Sequence, residues 1–520
     1  MVNITSKVLK NTLIYFVYVI IILFVLYVFE KNFLNGNIDY ILPTRIPKPL
    51  SRLLLLMSVL IGSIILVLVN SKINISQLND KYILVTLFIT ATLLSLPLIF
   101  FSEIMPNSDF LTYYLIAKNL LNGKIFIPNY IAVFPHTIAF STFLSFVFRL
   151  FGPSILSAQL TGIVLSSLSV VFVYLIGQEV SKRQYGFIAA LIWTLMPSRI
   201  FYSVLICTEN LFNAIALLSA LIFLKAMNNT LPIKNKYLNF VLIGVLFAIL
   251  NSIRPNGIIV FIAFIVFYLL FFEYKSDREN VFFFFKIHLK KGLIVKSFFV
   301  LTVFIAYFLT SFSINLAIES KIKQQIATPR IGWNMYVGLN VSSHGQWNKK
   351  DSELFSKLIQ EKGPQQVQKT FFELGIKRLQ DIIKDKKMKR FILDKVITMW
   401  HADHESYDYA AGAQPKNSRA KLKFSQNNKA AKLIFDTYYY IVLFTSLLEL
   451  IMLTIKRGGL KPVILIGCFI ILGTILLHIP FEVALRYKNH ALLWFCFISA
   501  NGIVTISEKI TISSKLNVNN

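Results

Sequence analysis

The feature that most constrains this chain is the recurrence of apolar runs about 20 residues long, the length that carries an α-helix across a bilayer. Such runs lie at 12–28, 53–69, 83–101, 155–179, 186–206, 211–227, 238–253, 257–272, 297–317, 433–455, 462–479 and 484–506. Hydrocarbon offers no water to a peptide group, so each run must bond its own backbone and can only be a helix. Composition agrees: 56% of the 520 residues are hydrophobic and 15% charged, against about 45–50% and 25% in soluble domains. The fold class that follows is an all-α polytopic membrane protein, a bundle of about 12 transmembrane helices.

A net charge of +28 raises the question of nucleic acid. The Lys and Arg residues sit mostly in short loops between apolar runs, where cytoplasmic retention and anionic headgroups account for them. Membrane lipid is the expected partner and nucleic acid is not. Cys207, Cys468 and Cys496 lie in or beside apolar runs and offer neither metal spacing nor a disulfide framework. The first run has a basic flank, Lys7 and Lys10, without a small-residue cleavage site after it. It reads as a retained anchor.

One further run, 131–151, is ambiguous: it is long enough to span, yet it carries Pro135, His136 and Arg149. If it crossed, the basic loops 179–186, 272–296 and 455–461 would face outward. If it lies in the interface, those loops are cytoplasmic, as are Lys234, Lys236, Lys509 and Lys515. The second arrangement obeys the positive-inside tendency. It is adopted here, with both termini cytoplasmic and the polar sites on the extracytoplasmic face of the plasma membrane. The polar segment 318–432 then forms an outer cap, containing an amphipathic helical stretch at 366–400. The expected division is residues 1–82 as additional N-terminal transmembrane helices, 83–317 as a membrane core with outer interfacial helices at 109–151, 318–432 as the cap, and 433–520 as C-terminal transmembrane helices.

Several charges gather at that outer face. In "MPNSDFLTYYLIAKNLLNG", Ser108 or Asp109 caps a helix that Gly123 closes in a left-handed turn, or Asp109 serves as a base. Partial desolvation would raise its proton affinity. In "PSRIFYSVLICTENLF", Glu209 either favours the helix dipole behind a Thr208 cap or acts in a site. Arg254, between two spans with almost no loop, either snorkels or binds a ligand. In "HIPFEVALRYKNHALLWF", Glu482 and Arg486 are four residues apart; on a helix they would share a face and pair, structurally or along a cavity. The guanidinium suits a phosphate. "RIGWNMYVGLNVSSHGQWN", with Trp333 and Asn334, reads as a binding loop, and "MWHADHESYDY" as a solvated acidic-aromatic loop rather than a metal site. No Walker lysine motif, HExxH or GxSxG is present.

In their order, "NSDFLTYYLIAKNLLNG", "FPHTIAFSTFLSFVFRLFGPS", "PSRIFYSVLICTENLF", "GWNMYVGLN" and "EVALRY" resemble the polyprenyl-phosphate-dependent membrane glycosyltransferases of the GT-C fold. The bacterial members related to protein O-mannosyltransferases and to the aminoarabinose transferase of lipid A are the most similar. The resemblance runs from about residue 83 onward and implies a GT-C-like bundle with outer interfacial helices and a mixed outer segment. It implies Asp109 as catalytic base and Glu209 as a second acid assisting acceptor or metal. Substrate-binding roles follow for His136, Arg254, Trp333, Asn334, Glu482, Arg486 and Tyr487, with Arg486 on the lipid-linked phosphate. The implied reaction moves a hexosyl group, mannose-like, from a polyprenyl-phosphate donor to a hydroxyl of a glycan, lipid or protein acceptor, with inversion. A divalent metal, Mg or Mn, is left open. The acid pairing common after the first core span is reduced here to Asn107-Ser108-Asp109, and the extra outer domain of the eukaryotic protein mannosyltransferases is absent, which puts a protein acceptor in doubt. A transporter or flippase, with Asn213, Asn251 and Asp436 along its path, and a surface polysaccharide polymerase or ligase are the competing readings.

Overall fold

The computed structural model describes residues 2–73, 75, 77–227, 233–272, 282–284, 287–289, 291–415, 418–456 and 460–518. Parts of the basic loops 272–296 and 455–461 lie outside the described residues, as do the side chains of Lys234 and Lys515. Among the described residues the chain is all-α apart from one short antiparallel hairpin, Phe282–Phe284 with Ile287–Leu289. Among the described residues nine helices are long and apolar enough to cross a membrane, and His136–Phe151, Gly257–Phe271 and Pro462–Leu477 are shorter apolar helices. The chain is a polytopic membrane protein.

Local chemistry shapes how some of the apolar runs are built. Run 186–206 divides into helices Arg183–Leu195 and Pro197–Tyr202. A proline disfavours the helical conformation in the residue before it, and Met196 is accordingly extended, at φ −62°, ψ 114°. The last run starts later than expected: residues 482–484 are irregular, Leu485–Lys488 is a short 3-10 turn, and the helix proper is Asn489–Val518.

The ambiguous segment makes no net crossing. It is broken by Pro135 into helices Pro128–Val133 and His136–Phe151. Gln159, at the start of helix Ile155–Val180, bonds Ile104 O just past the end of helix Asp80–Phe101, at 3.2 Å. At the opposite ends of the same two helices Tyr174 bonds Asp80 at 2.7 Å. The two helices are therefore antiparallel neighbours, and residues 102–154 leave and return at one end of the bundle.

Connections consequently segregate to two ends. One gathers Asp80, Arg183, Gln184, Asn70 and Ser507. The other carries the polar segment, which folds as helices seated on the bundle: Trp400 is fully buried and meets Phe24 at 5.0 Å and Phe495 at 6.1 Å. Leu485–Thr511 is the central span, 89% buried, whereas Lys296–Ile322 is 17% buried and exposes Phe308, Leu309 and Phe312 as a lipid-facing helix would. Gly338 permits the closest approach between the cap and the last connection, because a Cβ there would overlap the backbone of Phe481 and Glu482.

Candidate functional site

Asp109 lies in the first turn of helix Ser108–Leu121, but it does not cap it. The N-cap position is Asn107, and no side chain caps the helix. Ser108 adopts φ +48°, unusual for a residue with a Cβ, and the Asp109 carboxylate turns away to Arg486 Nη2, 2.5 Å distant. Gly123 closes the helix at φ +69°, as expected of a left-handed terminus. Burial raises the proton affinity of Asp109, but the charge and hydrogen bond of Arg486, with His136 and Arg254 behind them, lower it further, so its pKa falls below the usual 3.8. The sequence argument from desolvation alone thus has the wrong sign, because the opposite charge wins.

Arg486 does not pair with Glu482, because residues 482–484 are not helical and the four-residue spacing no longer puts the two side chains on one face. The 3-10 turn instead directs the guanidinium between aromatic rings, with Tyr409 and Tyr487 each at 5.5 Å and Phe110 at 5.9 Å. Cationic groups favour such faces, and more so where water is scarce. Its backbone N–H donates to Glu405 Oε2, while its buried Nε–H has no acceptor. That unpaired donor is what an anion would meet.

A second ion pair stands beside the first. Arg254 Nη1 is bonded to Glu209 Oε1, with the side chains 14% and 3% exposed. Arg254 therefore turns inward rather than snorkelling, and Thr208 donates to Glu209 at 3.4 Å instead of capping the helix, whose N-cap is Cys207. Tyr487 lies 5.7 Å from Arg254 as well as beside Arg486, so one ring links the two cations. His136, at the start of its helix, is within electrostatic reach of Asp109, Arg254 and Arg486. Burial pushes Glu482 up to about 7, aided by Asp109 and opposed by Arg486.

Other residues singled out in the sequence sit elsewhere. Trp333 is packed in the cap core, 4.9 Å from Phe355 and 5.0 Å from Phe371. Asn334 contributes its carbonyl to Glu482 N at 3.0 Å. "MWHADHESYDY" is not solvated: Asp403 and His404 are buried, and His404 Nδ1 lies 2.8 Å from the fully buried Asp436. Lys488, buried without exposure, bonds Ala402 O at 2.6 Å and lies 3.8 Å from Asp403. Asp436 is thus a structural anchor, and Asn213 and Asn251 are likewise paired, with Asn489 and Tyr307. Sequence reasoning missed Glu405 and Tyr409 as neighbours of Arg486. Their density of charge and aromatic rings was the signal, read as exposure.

Among the described residues no group of three or more His, Cys, Asp or Glu is arranged to hold a metal. Asp109 and Glu209 are each engaged by a guanidinium, so the donor set does not fit the divalent ion left open above.

Residues 135–305, about a third of the chain, match the family model described as dolichyl-phosphate-mannose-protein mannosyltransferase. The resemblance seen in the motifs is met again there, and the match includes His136, Glu209 and Arg254 but not Asp109 or Arg486. Two solved structures from Archaeoglobus fulgidus are similar in outline. One is an oligosaccharyltransferase tethered to an acceptor peptide, at 14% identity and TM-score 0.45, covering 84% of this chain and 51% of that one. The other is the oligosaccharyltransferase AglB with an inhibitory peptide and a dolichol-phosphate, at 13% identity and TM-score 0.40, covering 85% and 52%. The chain spans about half the length of these structures. No curated protein matches it.

Proposed function

We propose that the protein is a membrane glycosyltransferase that moves a sugar from a polyprenyl-phosphate donor to an acceptor hydroxyl at the extracytoplasmic face, with inversion. The observation that carries the reading is the contact of Asp109 with Arg486 across 377 residues of sequence, with a buried guanidinium N–H left over. The family-model match supports a lipid-linked hexosyl donor. A polyprenyl tail, at about 0.8 kcal/mol per buried CH₂, keeps its headgroup at the membrane boundary, the depth at which these residues would lie.

The chemistry needs little. Phosphate is a weak base and leaves without a general acid, so one group must hold developing charge and another must take the acceptor proton. Arg486 is suited to the first task and Asp109 to the second. With no donor bound, the guanidinium keeps Asp109 ionised. When phosphate draws Arg486 toward itself, Asp109 is released and its proton affinity rises, when the acceptor hydroxyl needs a base. The acceptor oxygen attacks the anomeric carbon as the carbon–oxygen bond to phosphate breaks, the proton passes to Asp109, and attack from the opposite face inverts the centre. Glu209, fixed by Arg254, orients the acceptor.

The test is turnover of a polyprenyl-phosphate hexose in proteoliposomes. Asp109→Asn is expected to lose about 10²–10⁴-fold in kcat with donor binding kept. Unchanged turnover would remove Asp109 from the mechanism.

A further inference from the structure

Arg199 sits in the short helix Pro197–Tyr202, 2% exposed. It forms no ion pair among the described residues. Nη1 bonds Ser166 Oγ and Nη2 bonds Thr194 O, both at 2.9 Å, while Nε is buried with no acceptor. The carboxylates of Asp109, Glu209 and Asp403 have cations of their own in Arg486, Arg254 and Lys488. Arginine does not deprotonate in proteins, so it cannot lose its charge as a buried lysine can. A buried, uncompensated charge is among the costliest things a fold can contain.

The guanidinium lines a small polar cavity together with Ser166, Ser169, Asn210, Asn213 and Asn489. The centre of a water-sized sphere can move through about 10 Å³ of it, room for a single small occupant. The walls are well ordered by their own bonds: Trp193 Nε1 donates to Ser169 at 2.8 Å and Asn213 Nδ2 to Asn489 Oδ1 at 2.8 Å. An amide nitrogen has two hydrogens, so Asn213 keeps a second donor beside the cavity. A single water would satisfy Nε but leave the positive charge. A phosphate or sulfate exceeds the space.

We propose that this cavity binds one small inorganic anion of chloride size, held by Arg199 and its amide and hydroxyl neighbours. Asn210 and Asn213 belong to helix Thr208–Ala226, whose first turn holds Glu209, and Asn489 begins the helix that follows Arg486. The anion would therefore tie together the roots of the two elements that carry the candidate site, without touching its substrates.

The experiment uses the purified full-length protein in detergent, exchanged from gluconate into chloride or bromide at constant ionic strength, with unfolding followed by intrinsic fluorescence. A saturable rise in Tm of several degrees with either halide, and none with sulfate, is expected. Arg199→Gln should abolish that dependence, and Ser166→Ala, which keeps the guanidinium, should shift half-saturation upward about tenfold. Should Arg199→Gln fail to fold, bromide anomalous density beside Nε in the wild-type crystal decides the matter. Equal Tm in gluconate and chloride, or an ordered water with no bromide at Nε, would overturn the proposal. Because the readout is stability and not sugar transfer, failure here leaves the proposed reaction untouched.

Discussion

Glu405 accepts the backbone N–H of Arg486, so the guanidinium that grips Asp109 is fixed at its root as well as at its tip. Burial raises the pKa of Glu405, against the opposing charges of Arg486 and Lys488, and its neutral form still offers a carbonyl-type acceptor. Glu405→Gln should therefore keep kcat within about threefold. Glu405→Ala leaves the amide unpaired and lets the arginine shift; displacement of a binding group by about 1 Å costs about 10²-fold. Steady-state kinetics should show that loss in kcat/KM, rescued in the Gln variant. Equal losses in both variants would show that the negative charge of Glu405, and not its acceptor oxygen, is what the site requires.

The Glu209–Arg254 pair makes a different prediction, because both side chains are nearly inaccessible. Arg254→Ala strands an ionised or newly protonated carboxyl, and removing one member of a buried pair costs about 3–5 kcal/mol. The melting temperature should drop sharply. Replacing both by methionine should restore most of it, since well-packed apolar residues often match a buried pair, but should not restore transfer. Recovered transfer in the double variant would show that the pair serves stability alone.

What could be read from the chain was what is encoded locally. Apolar run length gave the bundle, and Gly123 marked the end of its helix. Tertiary pairing was not readable. Glu482 and Arg486 look like partners only on the assumption of a helix, whereas Arg486 finds Asp109 377 residues away. "MWHADHESYDY" looked solvated because polar residues usually are; its burial depends on Asp436, which lies in a separate apolar helix and accepts from Asp403 N at 2.7 Å. Trp333, in a loop without helical periodicity, suggested ligand binding and instead fills the cap core against Phe355 and Phe371. In each case a long-range partner converts an apparently free group into a fixed one.

Lys395 connects the cap to the segment that leads to Arg486. Its Nζ donates to Gly338 O at 2.5 Å, Phe481 O at 2.7 Å and Ile479 O at 2.8 Å. Lys395→Met keeps the stem and removes all three bonds, and each buried carbonyl left unpaired costs about 1–3 kcal/mol. Limited proteolysis should then cut within 478–484 at least about tenfold faster, and the donor KM should rise while the bundle stays folded. Unchanged cleavage would mean that Gly338 and its close backbone packing hold the segment without the lysine.

Glu482 supplies the pH dependence. Burial first, and Asp109 second, raise its pKa from 4.5 to about 7, with Arg486 pulling the other way. For an acid whose folded pKa is raised, the stabilising contribution is complete below 4.5 and is lost as pH rises through about 7. Wild-type Tm should therefore decline between pH 4.5 and 7, and Glu482→Gln, which cannot ionise, should flatten that part of the curve. The same ionisation places a negative charge near the guanidinium proposed to hold phosphate. Donor KM should rise several-fold from pH 6 to pH 8 in the wild type and stay level in Glu482→Gln, with kcat changed less than KM. Asp109 moves oppositely: its lowered pKa leaves it ionised across this window, so it contributes no limb between pH 6 and 8. A KM rise that persists in Glu482→Gln would assign the titration to another group of the protein and separate Glu482 from donor binding.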